Sequence, residues 1–113
     1  MVYKNTILEK IVLAKKEEIS SFRYRESLAL SERIGDDIGV ATASNDLGEI
    51  AREEGSLDEA QALYGRALEL WRAMGDATGV ARGAHNLAQA ARDAGDLGRA
   101  ADLLRESLAA TAE

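Results

Sequence analysis

The chain contains no cysteine and no proline, and its 113 residues include only one tryptophan, three tyrosines and one phenylalanine. Without cysteine there is no disulfide framework and no thiolate-ligated metal site, and the composition fits a reducing compartment. Without proline nothing forces an interior helix break. With so few aromatics the core must be built mainly from Ala, Leu, Ile and Val, whose small cross-sections let helices approach closely. No apolar run nears the roughly 20 residues that span a bilayer. Glu9 and Lys10 interrupt the stretch Ile7 to Leu13 before it could serve as the apolar region of a signal peptide. No membrane association and residence in the cytoplasm are the expectations. Positive charge is also short: the formal net charge is −6, whereas non-specific nucleic-acid binding needs a basic face. The acidic balance serves solubility.

What is present is a pattern written twice, forty residues apart. Gly35-Asp36 recurs as Gly75-Asp76, Gly39-Val40-Ala41 as Gly79-Val80-Ala81, Leu47 as Leu87, Ala51-Arg52 as Ala91-Arg92, Gly55 as Gly95 and Leu68 as Leu108. A period of this size marks a solenoid, whose units bury their apolar faces only by stacking on neighbours. Ala, Leu, Glu and Arg dominate, all strong helix formers, so the fold class is all-α: antiparallel helical hairpins stacked as a short solenoid.

The helix signals are explicit from Gly35 onward. Glycines 35, 55, 75 and 95 end helices, and Asp36, Ser56, Asp76 and Asp96 begin them as N-caps. Glu59, three residues after Ser56, completes a capping-box pattern. The predicted helices run from about Asp37 to Glu54, Leu57 to Met74, Asp76 to Ala94 and Leu97 to Ala110. Their short turns require antiparallel neighbours. Three units follow: an N-terminal helical segment 1–34 and two repeats, 35–74 and 75–113.

Residues 1–34 differ in character. All four lysines lie at or before Lys16, and all ten arginines lie at or after Arg23. This partition suggests a separate origin for the first twenty or so residues, by recombination or fusion. Asn5 or Thr6 can cap a helix, with Glu9 completing a capping box. Ile7, Leu8, Ile11 and Val12 open an apolar stripe that Ala14, Ile19, Phe22 and Leu28 continue. The segment reads either as one long helix or as two broken near Ser20-Ser21. It also fits the register of the later repeats: Tyr24 aligns with Tyr64, Leu28 with Leu68, Leu30 with Leu70 and Ile34 with Met74, but Lys15 to Glu18 replace the turn. Thr6 to Val12 followed by Lys15 to Ile19 resembles the N-terminal helix of indole-3-glycerol-phosphate synthases. The barrel that carries that family's active site is not here, so no role is carried over.

In the first repeat Leu47-Gly48, Ala51, Ala60, Tyr64 and Ala67 fall at the spacing of the tetratricopeptide repeat (TPR). In the second, Leu87-Ala88, Ala91, Ala100, Leu104 and Ser107 do so. The chain therefore resembles the TPR family. Ser44 and Ala84 replace its usual large residue, Ala51 and Ala91 its tyrosine, and no proline closes the repeat. The longer period resembles repeats of large bacterial transcriptional regulators and kinesin light chains. The resemblance implies a protein-interaction module without catalysis, partnered by a protein or peptide. Gly48 and Ala88 are expected to face Ala60/Ala67 and Ala100/Ser107, and Trp71, Tyr64 and Tyr24 are expected in the core.

In TPR proteins the first helix of each repeat lines the concave groove. That implies a partner-binding stripe of Thr42, Asn45, Asp46, Glu49 and Arg52 beside Arg82, His85, Asn86, Gln89 and Arg92. Arg52, Arg82 and Arg92 are cations suited to a carboxylate. The alternative is an ordinary solvated helix face. His85, the only histidine, has Asp46 and Glu49 as potential neighbours but no positioned nucleophile, so neither a metal nor a catalytic role is expected, and no cofactor. After Leu108 little chain remains to cover the last helix, and Leu97, Leu103, Leu104 and Leu108 can present an apolar face. Homo-oligomerisation through exposed terminal helices is therefore expected. The second functional reading is a truncated, fused or engineered repeat fragment with a structural or self-assembling role.

Overall fold

The structure, a computed structural model, describes residues 7–111, with side chains at Ile11 and from Glu18 onward. The proposed caps at Asn5 and Thr6 lie outside the described residues. Five helices follow in order: α1 (Ile7–Ile34), α2 (Asp37–Glu53), α3 (Leu57–Met74), α4 (Ala77–Asp93) and α5 (Leu97–Thr111). No strand occurs among the described residues. The fold is all-α, and the predicted helix limits from Asp37 onward agree with the observed ones to within a residue.

The turns explain that agreement. After α3, Gly75 takes φ 67°, a left-handed conformation that a Cβ would disfavour. The Gly75 and Asp76 amides then donate to the carbonyls of Arg72 and Trp71 at 3.1 and 3.0 Å, closing a Schellman turn. The same pair of bonds closes the turns at Gly35, Gly55 and Gly95. On the far side of three of these turns an aspartate takes up a free amide of the next helix. Asp36 accepts from Gly39, Asp76 from Gly79 and Asp96 from Arg99, at 3.0, 3.0 and 3.1 Å. Ser56 does not follow suit: its side chain makes no capping bond, at φ −83° and ψ 72°. The capping box with Glu59 is therefore not closed, and α3 starts on its Schellman turn and on Asp58 and Glu59 in its first turn.

Packing proceeds between chain neighbours, α1 on α2, α2 on α3, α3 on α4 and α4 on α5. The radius of gyration is 16.0 Å, against about 13 Å for a compact domain of this length. The core runs along the stack. Tyr64 and Leu68 of α3 join Ala84, Leu87, Ala88 and Ala91 of α4 and Ala100 and Leu103 of α5, so Leu103, expected on an exposed face with Leu97, Leu104 and Leu108, is core while the other three are exposed. Trp71, with Ala41 and Ala67, forms a second cluster that meets the first at Val80.

Glycine permits several close approaches between helices. A Cβ on Gly79 would fall inside the van der Waals envelope of the Trp71 indole, and one on Gly83 would lie 2.9 Å from its Cε3. In the preceding unit Gly39 is likewise filled by the Ser31 hydroxyl, so the recurring Gly-Val-Ala is a seat for the second helix of the unit before it. At Gly48 the nearest neighbour is a ring: a Cβ there would stand 2.8 Å from Tyr64. The large ring takes the space that small residues leave, so it is the Tyr64 ring that sets how closely α2 and α3 pack there.

α1 runs unbroken through Ser20-Ser21. Without a turn at Lys15 to Glu18 the chain does not fold back, and α1 has no antiparallel helix of its own unit. Tyr24 was expected in the core beside Tyr64, but it is 36% exposed where Tyr64 is 1% exposed. Tyr64 is enclosed by helices on both sides; Tyr24 is covered from one.

Candidate functional site

Two layers follow from the packing. The first helices of the units, α2 and α4, come into direct backbone proximity, whereas among the described residues successive second helices, α1, α3 and α5, do not. The stack therefore curves with α2 and α4 on its inner side. The outer helices are spanned instead by long arginines: Arg66 to Glu32 at 3.3 Å, Arg25 to Glu59 at 3.6 Å, and Arg72 in a two-pronged fork on Glu106 at 2.6 and 2.7 Å. The fork donates to both carboxylate oxygens and holds Glu106 below the usual carboxylate range.

The inner side carries the ten polar positions expected from the sequence, in unequal circumstances. Thr42, Glu49, Arg82, His85 and Arg92 are exposed, and Asp46, Arg52, Asn86 and Gln89 are half-buried. Asn45 is fully buried. It lies under the stripe, where its Oδ1 accepts from Asn86 Nδ2 at 2.9 Å. Its Nδ2 and the Oγ of neighbouring Ser44 have no partner among the described residues. Asn45 therefore serves the seam between repeats, because position 45 points toward the approaching α4.

Arg52 is the junction of the face. Its Nε donates to Asp93 at 2.8 Å and its Nη1 to Gln89 at 2.7 Å. The Gln89 amide nitrogen in turn lies 2.9 Å from His85 Nε2. Asp93 was missed by sequence reasoning. The signal for it is register: Arg52–Asp93 and Asn45–Asn86 both join residues one period plus one apart.

The three arginines thus divide. Arg52 is committed to Asp93 and Gln89, and Arg82 stands 4.0 Å from Asp46. Arg92 enters no ion pair among the described residues. Burial pushes the Asp46 carboxyl above its ordinary value, the Arg82 charge opposes this and Glu49 adds to it. Burial, reinforced by Glu49, pushes the Tyr64 phenol up to about 12, so it stays neutral as a packing group.

Beside Arg92 a cavity of about 230 Å³ opens between α4 and α5, lined by His85, Ala88, Gln89, Arg92, Ala100 and Leu104. Its floor is apolar and its rim polar, a form suited to an apolar side chain carried on a polar partner. Among the described residues no group of three His, Asp or Glu side chains is placed to hold a metal, and no helix is long and apolar enough to cross a membrane.

Antiparallel hairpins stacked with their first helices inward, closed by repeated Schellman turns, define a helical-repeat solenoid. A family model described as tetratricopeptide repeat matches residues 23–73 and again residues 39–113. The chain belongs to the TPR family. No curated protein and no solved structure matches it. TPR repeats are in general protein-interaction modules, and the family is typically non-catalytic.

Proposed function

We propose that the inner face of α2 and α4, continued into the α4–α5 cavity, binds a peptide or partner helix, and that the protein acts as an interaction or assembly module rather than as an enzyme. The observation that supports this is the pairing of an uncommitted cation with an apolar recess: exposed Arg92 borders the Ala88, Ala100 and Leu104 floor. Arg82 extends the positive rim on the same helix. A ligand with a carboxylate near an apolar side chain satisfies both. Thr42 and Glu49 on α2, with His85 and Gln89 on α4, supply hydrogen-bonding positions along the groove. The acidic, cysteine-free composition supports a cytoplasmic reading.

The test is a peptide-array screen with the wild-type protein and the Arg82→Ala/Arg92→Ala variant. Ligands carrying a carboxylate should lose at least tenfold in affinity, the equivalent of about 1.4 kcal/mol. Binding that ignores the double substitution would sink the groove assignment.

A further inference from the structure

We propose that α1 is a self-association helix, on which the α1 of a second copy packs antiparallel about a two-fold axis passing between Ser20 and Ser21. This is independent of the groove, which lies on other helices.

α1 has 28 residues against 18 in α3, its counterpart in the next unit, so it is about 42 Å long against about 27 Å. Among the described residues six large hydrophobic side chains on it are exposed; Ile11, Ile19, Phe22 and Leu30, at 47%, 55%, 61% and 56%, share one stripe, and Tyr24 and Ile34 lie off it. Their spacing places them on one face; Leu28, expected to continue this stripe, instead lies half-buried on the opposite face with the buried Ser31. With positions 15 and 26 they form a stripe at intervals of four, four, three, four and four. This is an eleven-residue repeat, which keeps a seam nearly straight along the helix. Exposed apolar residues aligned in this way mark an interaction surface.

The stripe is self-complementary under one operation. An antiparallel two-fold centred between Ser20 and Ser21 brings Ile11 opposite Leu30 and Ile19 opposite Phe22, apolar on apolar at all four. The same operation sets position 15, a lysine, opposite Glu26, and Glu18 opposite Arg23, the latter two both exposed. Parallel pairing would put each of these charges against its own copy. Shifting the antiparallel axis to Phe22 would place Ile19 against Arg25 and Ile11 against Arg33. Of these three arrangements only the first matches both apolar and charged positions, and a two-fold interface between identical chains requires such self-complementarity.

The chain has no cysteine, so single introduced thiols report pairing directly. A mixture of Ile11→Cys and Leu30→Cys variants should oxidise to the mixed disulfide in preference to either homodimer. In sedimentation, the wild type should dimerise and Phe22→Glu should be monomeric with its helicity retained. Glu18→Arg should weaken dimerisation about tenfold by turning two attractive pairs repulsive, and adding Arg23→Glu should restore it. The Arg82→Ala/Arg92→Ala variant should dimerise as the wild type does. A wild-type monomer at high concentration would assign the stripe to some other helix and overturn the proposal, as would preferential Ile11→Cys homodimers, which signify parallel pairing.

Discussion

The carboxamides of Asn45 and Asn86 meet at 2.9 Å across the seam between the two repeats, Asn86 donating and the fully buried Asn45 accepting. Asn86→Ala removes the donor and leaves a buried carboxamide without a partner. It should cost about 1–3 kcal/mol in urea denaturation. One residue earlier the balance reverses. Ser44 Oγ is buried without a partner among the described residues, and the position equivalent to it, Ala84, is fully buried as alanine. Ser44→Ala should therefore raise stability by about 1 kcal/mol. A loss on Ser44→Ala would mean that its hydroxyl is satisfied after all.

Two glycines should respond oppositely to the same substitution. Alanine is favoured over glycine inside a helix by about 0.5–1 kcal/mol. At Gly65 an added Cβ meets nothing within 4 Å, so Gly65→Ala should show that gain as a higher thermal midpoint. At Gly79 it would overlap the Trp71 indole, and overpacking of this kind costs about 1–3 kcal/mol. Gly79→Ala should lower the midpoint, and the loss should shrink in a Trp71→Leu background. Equal shifts at the two sites would contradict the seating of the indole.

Glu106 gives a dependence on pH. Its folded pKa is depressed below the ordinary 4.5, first by the hydrogen bonds from Arg72. Its contribution is thus present in full above the unfolded pKa and is lost as the pH falls through the folded one. Side-chain exposures of 39% for Arg72 and 30% for Glu106 leave the pair open to solvent screening, which limits it to about 0.5–1 kcal/mol. Glu106→Gln should destabilise by that amount near neutrality and match the wild type well below pH 4. Asp46 opposes it: with its folded pKa raised above 3.8, its contribution is full below that value and is lost as the pH rises through the folded value. The wild-type profile therefore understates the Glu106 effect, and the difference between variants is the quantity to measure.

The parts of the fold legible in the sequence are those governed by local chemistry. Gly75-Asp76 announces a turn because one residue must take a positive φ and the next must accept an amide proton. The alignment of Leu47, Ala51, Ala60 and Tyr64 announces a hairpin because their spacing sets the face. Features that depend on a neighbouring helix were less visible. Asn45 reads as an outward groove residue from spacing alone, and only the approach of Asn86 makes it internal. Arg52 reads as a free cation until Asp93 is brought beside it from the next unit. Tyr24 reads as core because it shares the position of Tyr64, yet its unit lacks the folded-back helix that would cover it. Ser56 carries the letters of a capping box, but its backbone leaves the box open. At the candidate site the residue types were foreseeable, and their existing commitments to one another were not.

The single tryptophan of the chain stands at the joint between its two repeats, 4% exposed and set against α4. Its position gives that joint an optical address. Circular dichroism sums all five helices, whereas tryptophan emission answers to one contact, and it should move to longer wavelength when water reaches the indole. In a stack whose units hold only their neighbours, fraying at either end would change the dichroism and leave the emission in place. Parting of the repeats would change both together.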